Sequence, residues 1–107
     1  MSRIGREEGE GSEAVVQERI RQAEEDLQYI EQGDYMLPAS RDAQGSKTYW
    51  LTLKQGLERS PQFGPEHIVT KEAARIFDVL DNGGQIREQS LVAFKDLVNR
   101  LALQQAA

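Results

Sequence analysis

The residues whose types could support catalysis or metal binding are few and scattered. His67 is the single histidine of the chain, and there is no cysteine. Catalytic triads and most zinc sites need a histidine close to a nucleophile or to further ligands. Glu66 adjoins His67 in sequence only. We therefore interpret His67 as a loop histidine that precedes a helix.

Two further groups could carry chemistry by type. The consecutive carboxylates 24–26 could act as general acid and base if burial separated their pKa values. Consecutive residues fan out around a helix, so we interpret them as a solvated face. Gly83 and Gly84 lack the preceding strand, the spacing and the lysine of a phosphate-binding loop, and a turn accounts for them. HExxH, GxSxG and CxxC do not occur. The pattern predicts a non-enzymatic protein with no cofactor and no metal site.

The strongest local pattern predicts a helix over residues 13–32. Ser12 can cap its first turn, and Gly33 can end it. Apolar residues recur along it in steps of four, three, four and three, which is a heptad spacing. This seam consists of Val16, Ile20, Ala23, Leu27 and Ile30.

The middle of the chain is less regular. Residues 33–46 are predicted to form a long loop in which Tyr35, Met36 and Leu37 pack against the core. Residues 47–59 fit either a helix or a strand, and we favour a helix capped by Ser46 because no partner strand exists elsewhere. Its apolar face would consist of Trp50, Leu53 and Leu57. Gly56 weakens such a helix by about 1 kcal/mol relative to alanine.

The last third predicts two helices joined by a short turn. The first would start with Thr70 as its cap and end at residues 81–84, and the second would cover roughly 88–104. Phe77 and Phe94 lie on the apolar stripes that flank the turn. The two helices are therefore expected to pack as a helical hairpin with both phenylalanines in its core.

Together these patterns predict an all-α fold of three or four helices with a C-terminal helical hairpin. The chain has 107 residues, enough for one domain, which we place at 12–107. Residues 1–11 hold one aliphatic side chain among charges and glycines, which predicts a disordered acidic tail. No apolar run is long enough for a membrane span, and the cysteine-free composition favours a cytoplasmic location.

Residues 76–94 (IFDVLDNGGQIREQSLVAF) resemble an EF-hand helix–loop–helix. The resemblance rests on Leu80 before Asp81, on the loop glycines, on Ile86 as the central aliphatic residue, and on Phe94 in the exit helix. The register departs from the calcium-binding loop. Counted from Asp81, Ile86 comes two residues early; counted from residue 79, the last ligand position holds a serine. The resemblance implies a degenerate, calcium-independent hairpin that binds proteins.

We therefore expect an interaction module, such as an adaptor, an accessory subunit or a small regulator of a larger assembly. The candidate partner-binding residues are Val16, Ile20, Leu27 and Ile30, on which the helix 13–32 would bind another protein or a second copy. The alternative is a nucleic-acid-linked regulator, which binds DNA through the hairpin or blocks a DNA-binding protein. Residues 1–40 carry ten acidic and four basic side chains, and the net charge is −5, so direct nucleic-acid binding is disfavoured.

Overall fold

The structure of the protein is a computed structural model that describes residues 12–106. Those residues form five helices and no strand, which confirms the all-α prediction. The predicted disordered tail lies outside the described residues. The helices are α1 Glu13–Gln32, α2 Arg41–Gln44, α3 Lys47–Arg59, α4 Ile68–Asp81 and α5 Glu88–Ala106.

Three of the predicted helix ends are confirmed by their capping contacts. The Ser12 hydroxyl accepts a hydrogen bond from the Ala14 N–H at 3.2 Å. The Ser46 hydroxyl accepts one from the Tyr49 N–H at 3.1 Å. Gly33 ends α1 with a left-handed φ of 78°, and its N–H donates to the Ile30 carbonyl. Each contact satisfies a backbone group that the end of a helix leaves without an intrahelical partner.

The prediction that Thr70 caps α4 is wrong. His67 is the cap: its Nδ1 accepts a hydrogen bond from the Val69 N–H at 3.1 Å, and Thr70 is buried inside the first turn. A neutral imidazole nitrogen accepts this bond as a serine oxygen would, with the proton on Nε2. The lone histidine thus starts a helix, and its ring packs edge-on against Phe63 at 4.9 Å between centroids.

The loop 33–46 differs from its prediction in two respects. It contains the one-turn helix α2, which is why the described chain has five helices instead of three or four. Tyr35 is buried as expected, but Met36 is 69% exposed. Leu37 is half-buried, and its backbone adopts a φ of 70°, an angle that residues other than glycine rarely adopt. The backbone therefore turns between Tyr35 and Leu37 so that Met36 points into solvent.

The core is built around α3, which confirms the helical interpretation of residues 47–59. Trp50, Leu53 and Leu57 are fully buried, and the Trp50 indole N–H donates to the Gln44 carbonyl at 2.8 Å. α1 packs on α3, and so does α4. α4 and α5 are joined by the predicted glycine turn, but α4 packs more extensively on α3 than on α5. The C-terminal hairpin therefore shares the common core and does not form one of its own.

Candidate partner-binding surface of the first helix

The seam of α1 divides into a half that packs on the core and a half that lies outside the core cluster. Ala23 and Ile30 are buried at 0% and 1% exposure, and Leu27 packs against the core. Val16 and Ile20 are half-buried and lie outside that core cluster. Ile30 is therefore internal to this fold. Among the four candidate partner-binding residues, Val16 and Ile20 are the two that lie apart from the core.

The contacts between α1 and α3 explain where the seam divides. Tyr49 donates its hydroxyl to Asp26, and Ser60, just after α3, donates to Glu31. Leu27 lies against Gly56: a side-chain carbon on that glycine would stand 2.7 Å from Leu27 Cδ2. The α1 residues in these contacts all lie at 26–31, so α3 covers the second half of the seam.

The first half of α1 is held by contacts within the helix itself. Arg21 pairs with Glu18 at 2.7 Å and with Glu25 at 3.7 Å. Arg19 donates to the Gln22 side chain at 3.3 Å. The ion-paired group of Glu18, Arg21 and Glu25 lies on the side of α1 opposite Val16 and Ile20, because a helix turns once in 3.6 residues. Arg19, three residues after Val16, and Glu24, four residues after Ile20, are the charged neighbours of the apolar pair on α1.

A buried polar chain joins α1, α3 and the loop after α1. The Tyr49 hydroxyl donates to Asp26 Oδ2 at 2.7 Å. It lies 2.7 Å from the Tyr35 hydroxyl, which must donate to it because Tyr49 has already used its one proton. The interpretation of Asp26 as a solvated residue is thus wrong, whereas Glu24 and Glu25 are exposed as expected.

The pKa shifts of Asp26, Tyr49 and Tyr35 are those expected of a buried hydrogen-bond network with a structural role. Burial raises the pKa of Asp26, and the hydrogen bond from Tyr49 opposes that rise. Burial also raises the pKa of both tyrosine hydroxyls well above the ordinary tyrosine value, so both remain protonated. Tyr35 and Tyr49 are 1% and 0% exposed, so a substrate cannot reach them. This network could not be predicted from the sequence, because its members lie on three separate segments.

The α4–α5 region carries mixed charge. The exposed charges of and just before α5 are Arg87, Glu88, Asp96 and Arg100. Asp81, where the EF-hand resemblance would begin its loop, pairs with Lys47 at 3.5 Å. Residues 12–106 contain no group of three or more histidine, cysteine, aspartate or glutamate side chains that could hold a metal ion. The EF-hand resemblance itself stays a prediction.

Comparisons with known proteins add no relative to this picture. No family model, no curated protein and no solved structure matches the chain. None of the helices in the described part of the chain is both long enough and apolar enough to cross a membrane.

Proposed function

We propose that this protein is a non-enzymatic protein–protein interaction module whose docking surface is the first half of α1. One observation carries the proposal: Val16 and Ile20 continue the buried seam of Ala23, Leu27 and Ile30 but lie outside the core. An isolated amphipathic helix is marginal in water and gains its stability by packing its apolar face. A partner, or a second copy of the chain, would complete that packing.

The chemistry of the surface fits such an interface. An apolar centre with a polar, charged rim is the usual anatomy of protein interfaces. Complete burial of an exposed aliphatic side chain contributes about 1.5–3 kcal/mol, and a partner would gain the part of this that Val16 and Ile20 still expose. On α1 the apolar pair is flanked by one charge of each sign, in Arg19 and Glu24.

Two aspartate substitutions on the same seam test the proposal. Ile20→Asp should leave the helical circular dichroism intact and abolish association with a captured partner or with a second copy. Leu27→Asp should unfold the monomer, because it places a charge where Leu27 packs against the core and α1 approaches Gly56 of α3. Gln28→Asp, at an exposed position of the same helix, is the matched control and should change neither property.

Affinity capture of the tagged full chain and light scattering supply the readouts. Unfolding of Ile20→Asp as a monomer, together with a wild type that is monomeric and captures no partner, would assign the whole seam to the internal core and contradict the proposal.

No comparable observation supports the alternative function, in which the protein binds DNA or blocks a DNA-binding protein. DNA binding through the hairpin calls for a contiguous basic face. Glu88 and Asp96 interrupt the exposed basic residues of this region, which are Arg87 just before α5 and Arg100 on it. This mixed face favours a protein partner.

A further inference from the structure

A cavity of about 280 Å³ lies where the end of α1, the segment between α3 and α4, and α5 meet. Its apolar wall is formed by buried and half-buried side chains, which are Ile30, Phe63, Val69, Val98, Leu101 and Ala102. An engineered apolar cavity of ~150 Å³ holds a benzene molecule. The cavity in this protein is therefore large enough for a short alkyl chain or a single ring.

Close contacts at the end of α1 hold the walls of the cavity together. Gly33 approaches α5 so closely that a side-chain carbon on it would collide with Ala102. The Ser60 hydroxyl donates to Glu31 Oε2 at 3.0 Å, and the Gln62 side-chain amide donates to the Glu31 carbonyl at 3.1 Å. These contacts connect all three segments, so the cavity is already shaped before any ligand binds, as most small-molecule sites are.

The polar groups at the cavity are hydrogen-bond acceptors. Glu31 is the one charged side chain among the described residues that line it, and the bond from Ser60 to Oε2 leaves Oε1 to accept another. Gln62 donates through its side-chain nitrogen, which leaves its side-chain oxygen to accept. The last turn of α1 contains no basic residue, and the negative end of the helix dipole lies there. A cation with N–H donors is the complement of these groups.

The basic residues of the neighbouring helices leave the Glu31 carboxylate unpaired. No ion pair among residues 12–103 involves Glu31, and none of the basic residues in that range lines the cavity. Arg59 and Arg100 are exposed, and each follows a buried residue, Leu57 or Val98, by two positions. Two positions correspond to about 200° of helix rotation, so both guanidinium groups leave their helices on the side away from the core.

Three further basic side chains belong to the segments around the cavity. Lys71 pairs with Glu66 at 3.4 Å. His67 is uncharged, because its Nδ1 accepts a hydrogen bond from the Val69 N–H. Lys95 is half-buried on the turn of α5 that precedes the cavity wall, and it is not among the residues that line the cavity. The charge at the cavity itself is therefore negative.

We propose that this cavity binds a small molecule in which a protonated amine is attached to a short apolar chain or a single ring. The ammonium group would donate to Glu31 Oε1 and to the Gln62 side-chain oxygen, and the apolar part would lie against the buried wall. The inference goes beyond the proposed function, because the site takes a small molecule and shares no residue with the surface of Val16 and Ile20.

Four small ligands test the site on the full chain. The probe is hexylammonium. Hexanoate reverses its charge, hexanol removes the charge, and methylammonium lacks the apolar chain. In titrations followed by NMR, hexylammonium should bind saturably and shift the methyl signals of Ile30, Val69 and Val98. Hexanol should shift the same signals with lower affinity. Hexanoate should bind roughly tenfold more weakly than hexylammonium or worse, and methylammonium should not bind saturably.

Two glutamine substitutions on α1 separate the charge of the site from the charge of the whole protein. Glu31→Gln keeps an oxygen that can accept from Ser60, so the helical circular dichroism should stay intact. It should lower the affinity for hexylammonium by roughly fivefold or more and leave that for hexanol unchanged. Glu24→Gln is the matched control at an exposed position two turns earlier, about 10 Å away, which is one Debye length in 0.1 M salt. It should change neither affinity.

Four outcomes would overturn the proposal. They are the absence of saturable binding, equal affinities for hexylammonium and hexanoate, equal losses in Glu31→Gln and Glu24→Gln, and shifts confined to methyl groups outside the cavity. Tighter binding of Nα-acetyl-lysine methylamide than of hexylammonium would assign the cavity to a lysine side chain of another protein. That result would overturn the assignment to a small molecule as well.

Discussion

At the scale of single residues, Gly33 meets two separate demands. Its φ of 78° lies in the left-handed region, and a side-chain carbon there would collide with the Ala102 side chain of α5. Gly83 has a similar φ of 84° but open space around it. A comparison of substitutions at the two glycines therefore separates the effect of backbone strain from that of steric collision.

Gly33→Ala should destabilise the protein more than Gly83→Ala. The left-handed conformation costs an alanine about 1–2 kcal/mol at either position. At Gly33 the forced separation from α5 adds a further ~1–3 kcal/mol, typical of overpacking. Urea unfolding of both variants measures the difference, and equal losses would show that α5 does not approach Gly33 closely.

The hydroxyl chain of Asp26, Tyr49 and Tyr35 gives a second residue-scale prediction. Tyr49→Phe leaves both neighbours without their shared partner and should cost roughly 1–3 kcal/mol. Tyr35→Phe removes only the outer donor and should cost less. Tyr29→Phe, at an exposed position of α1, is the control and should be neutral in urea unfolding. A Tyr35→Phe loss at least as large as that of Tyr49→Phe would contradict the assigned direction of the bonds.

The raised pKa of Asp26 makes its contribution to stability depend on pH. Burial is the largest cause, and Glu25 adds to it, whereas Tyr49 and Arg21 oppose it. The Asp26 carboxyl therefore keeps its proton to a higher pH in the folded state than in the unfolded state. The stability that Asp26 contributes falls as the pH rises from its unfolded-state pKa through its folded-state pKa. The difference in unfolding free energy between wild type and Asp26→Asn, which does not titrate, should decrease with rising pH there. An increase would mean that the pKa is lowered in the folded protein.

At the scale of elements, the crossing of α1 over α3 explains a glycine that local propensity alone disfavours. Gly56 sits inside α3, where alanine would favour the helix by about 1 kcal/mol. The missing side chain is what allows Leu27 of α1 to approach. Gly56→Ala should therefore fail to stabilise the wild type. In a Leu27→Ala background the same change should recover the helix-propensity gain. A double-mutant cycle by urea unfolding measures this coupling, and a coupling of zero would contradict the close crossing.

The two phenylalanines of the C-terminal helices differ in their burial, which the sequence did not distinguish. Phe94 is 1% exposed and packs edge-on against Tyr35 and Trp50. Phe77 is half-buried, with the Lys54 ammonium 5.8 Å from its ring. Phe94→Ala should cost about 3–5 kcal/mol, and Phe77→Ala clearly less. Thermal unfolding checks the order, and equal losses would indicate that the hairpin has a core of its own.

At the scale of the whole molecule, stability is expected to vary along α1. Residues 23–31 pack on α3, which lies at the centre of the core, whereas Val16 and Ile20 in the first half of α1 lie outside the core cluster. Local opening needs little free energy where few apolar contacts are lost. In hydrogen exchange, amides of residues 17–21 should exchange by local opening, and those of α3 only by global unfolding. Equal protection of both segments in the isolated monomer would show that the first half is already fully packed.

The sequence alone determined the helices and most of their ends. Ser12, Ser46 and Gly33 act on backbone groups a few residues away, and the stripes follow from a fixed helical period, so no distant contact was needed to find them. The sequence does not locate the start of α4, because His67 and Thr70 can both accept the capping hydrogen bond. In the structure His67 is the cap, and the Phe63 ring packs against it.

Only the tertiary structure decided which apolar side chains are internal. Ile20 and Ile30 both lie on the heptad seam, and they differ in burial because α3 crosses α1 at Leu27. Tyr35 and Met36 are neighbours of similar hydrophobicity, and they differ because Asn99, 64 residues from Tyr35, binds the loop backbone in one orientation. Asp26 is half-buried because Tyr49 comes from another helix. In each case the deciding neighbour is remote in sequence, so local periodicity carries no information about it.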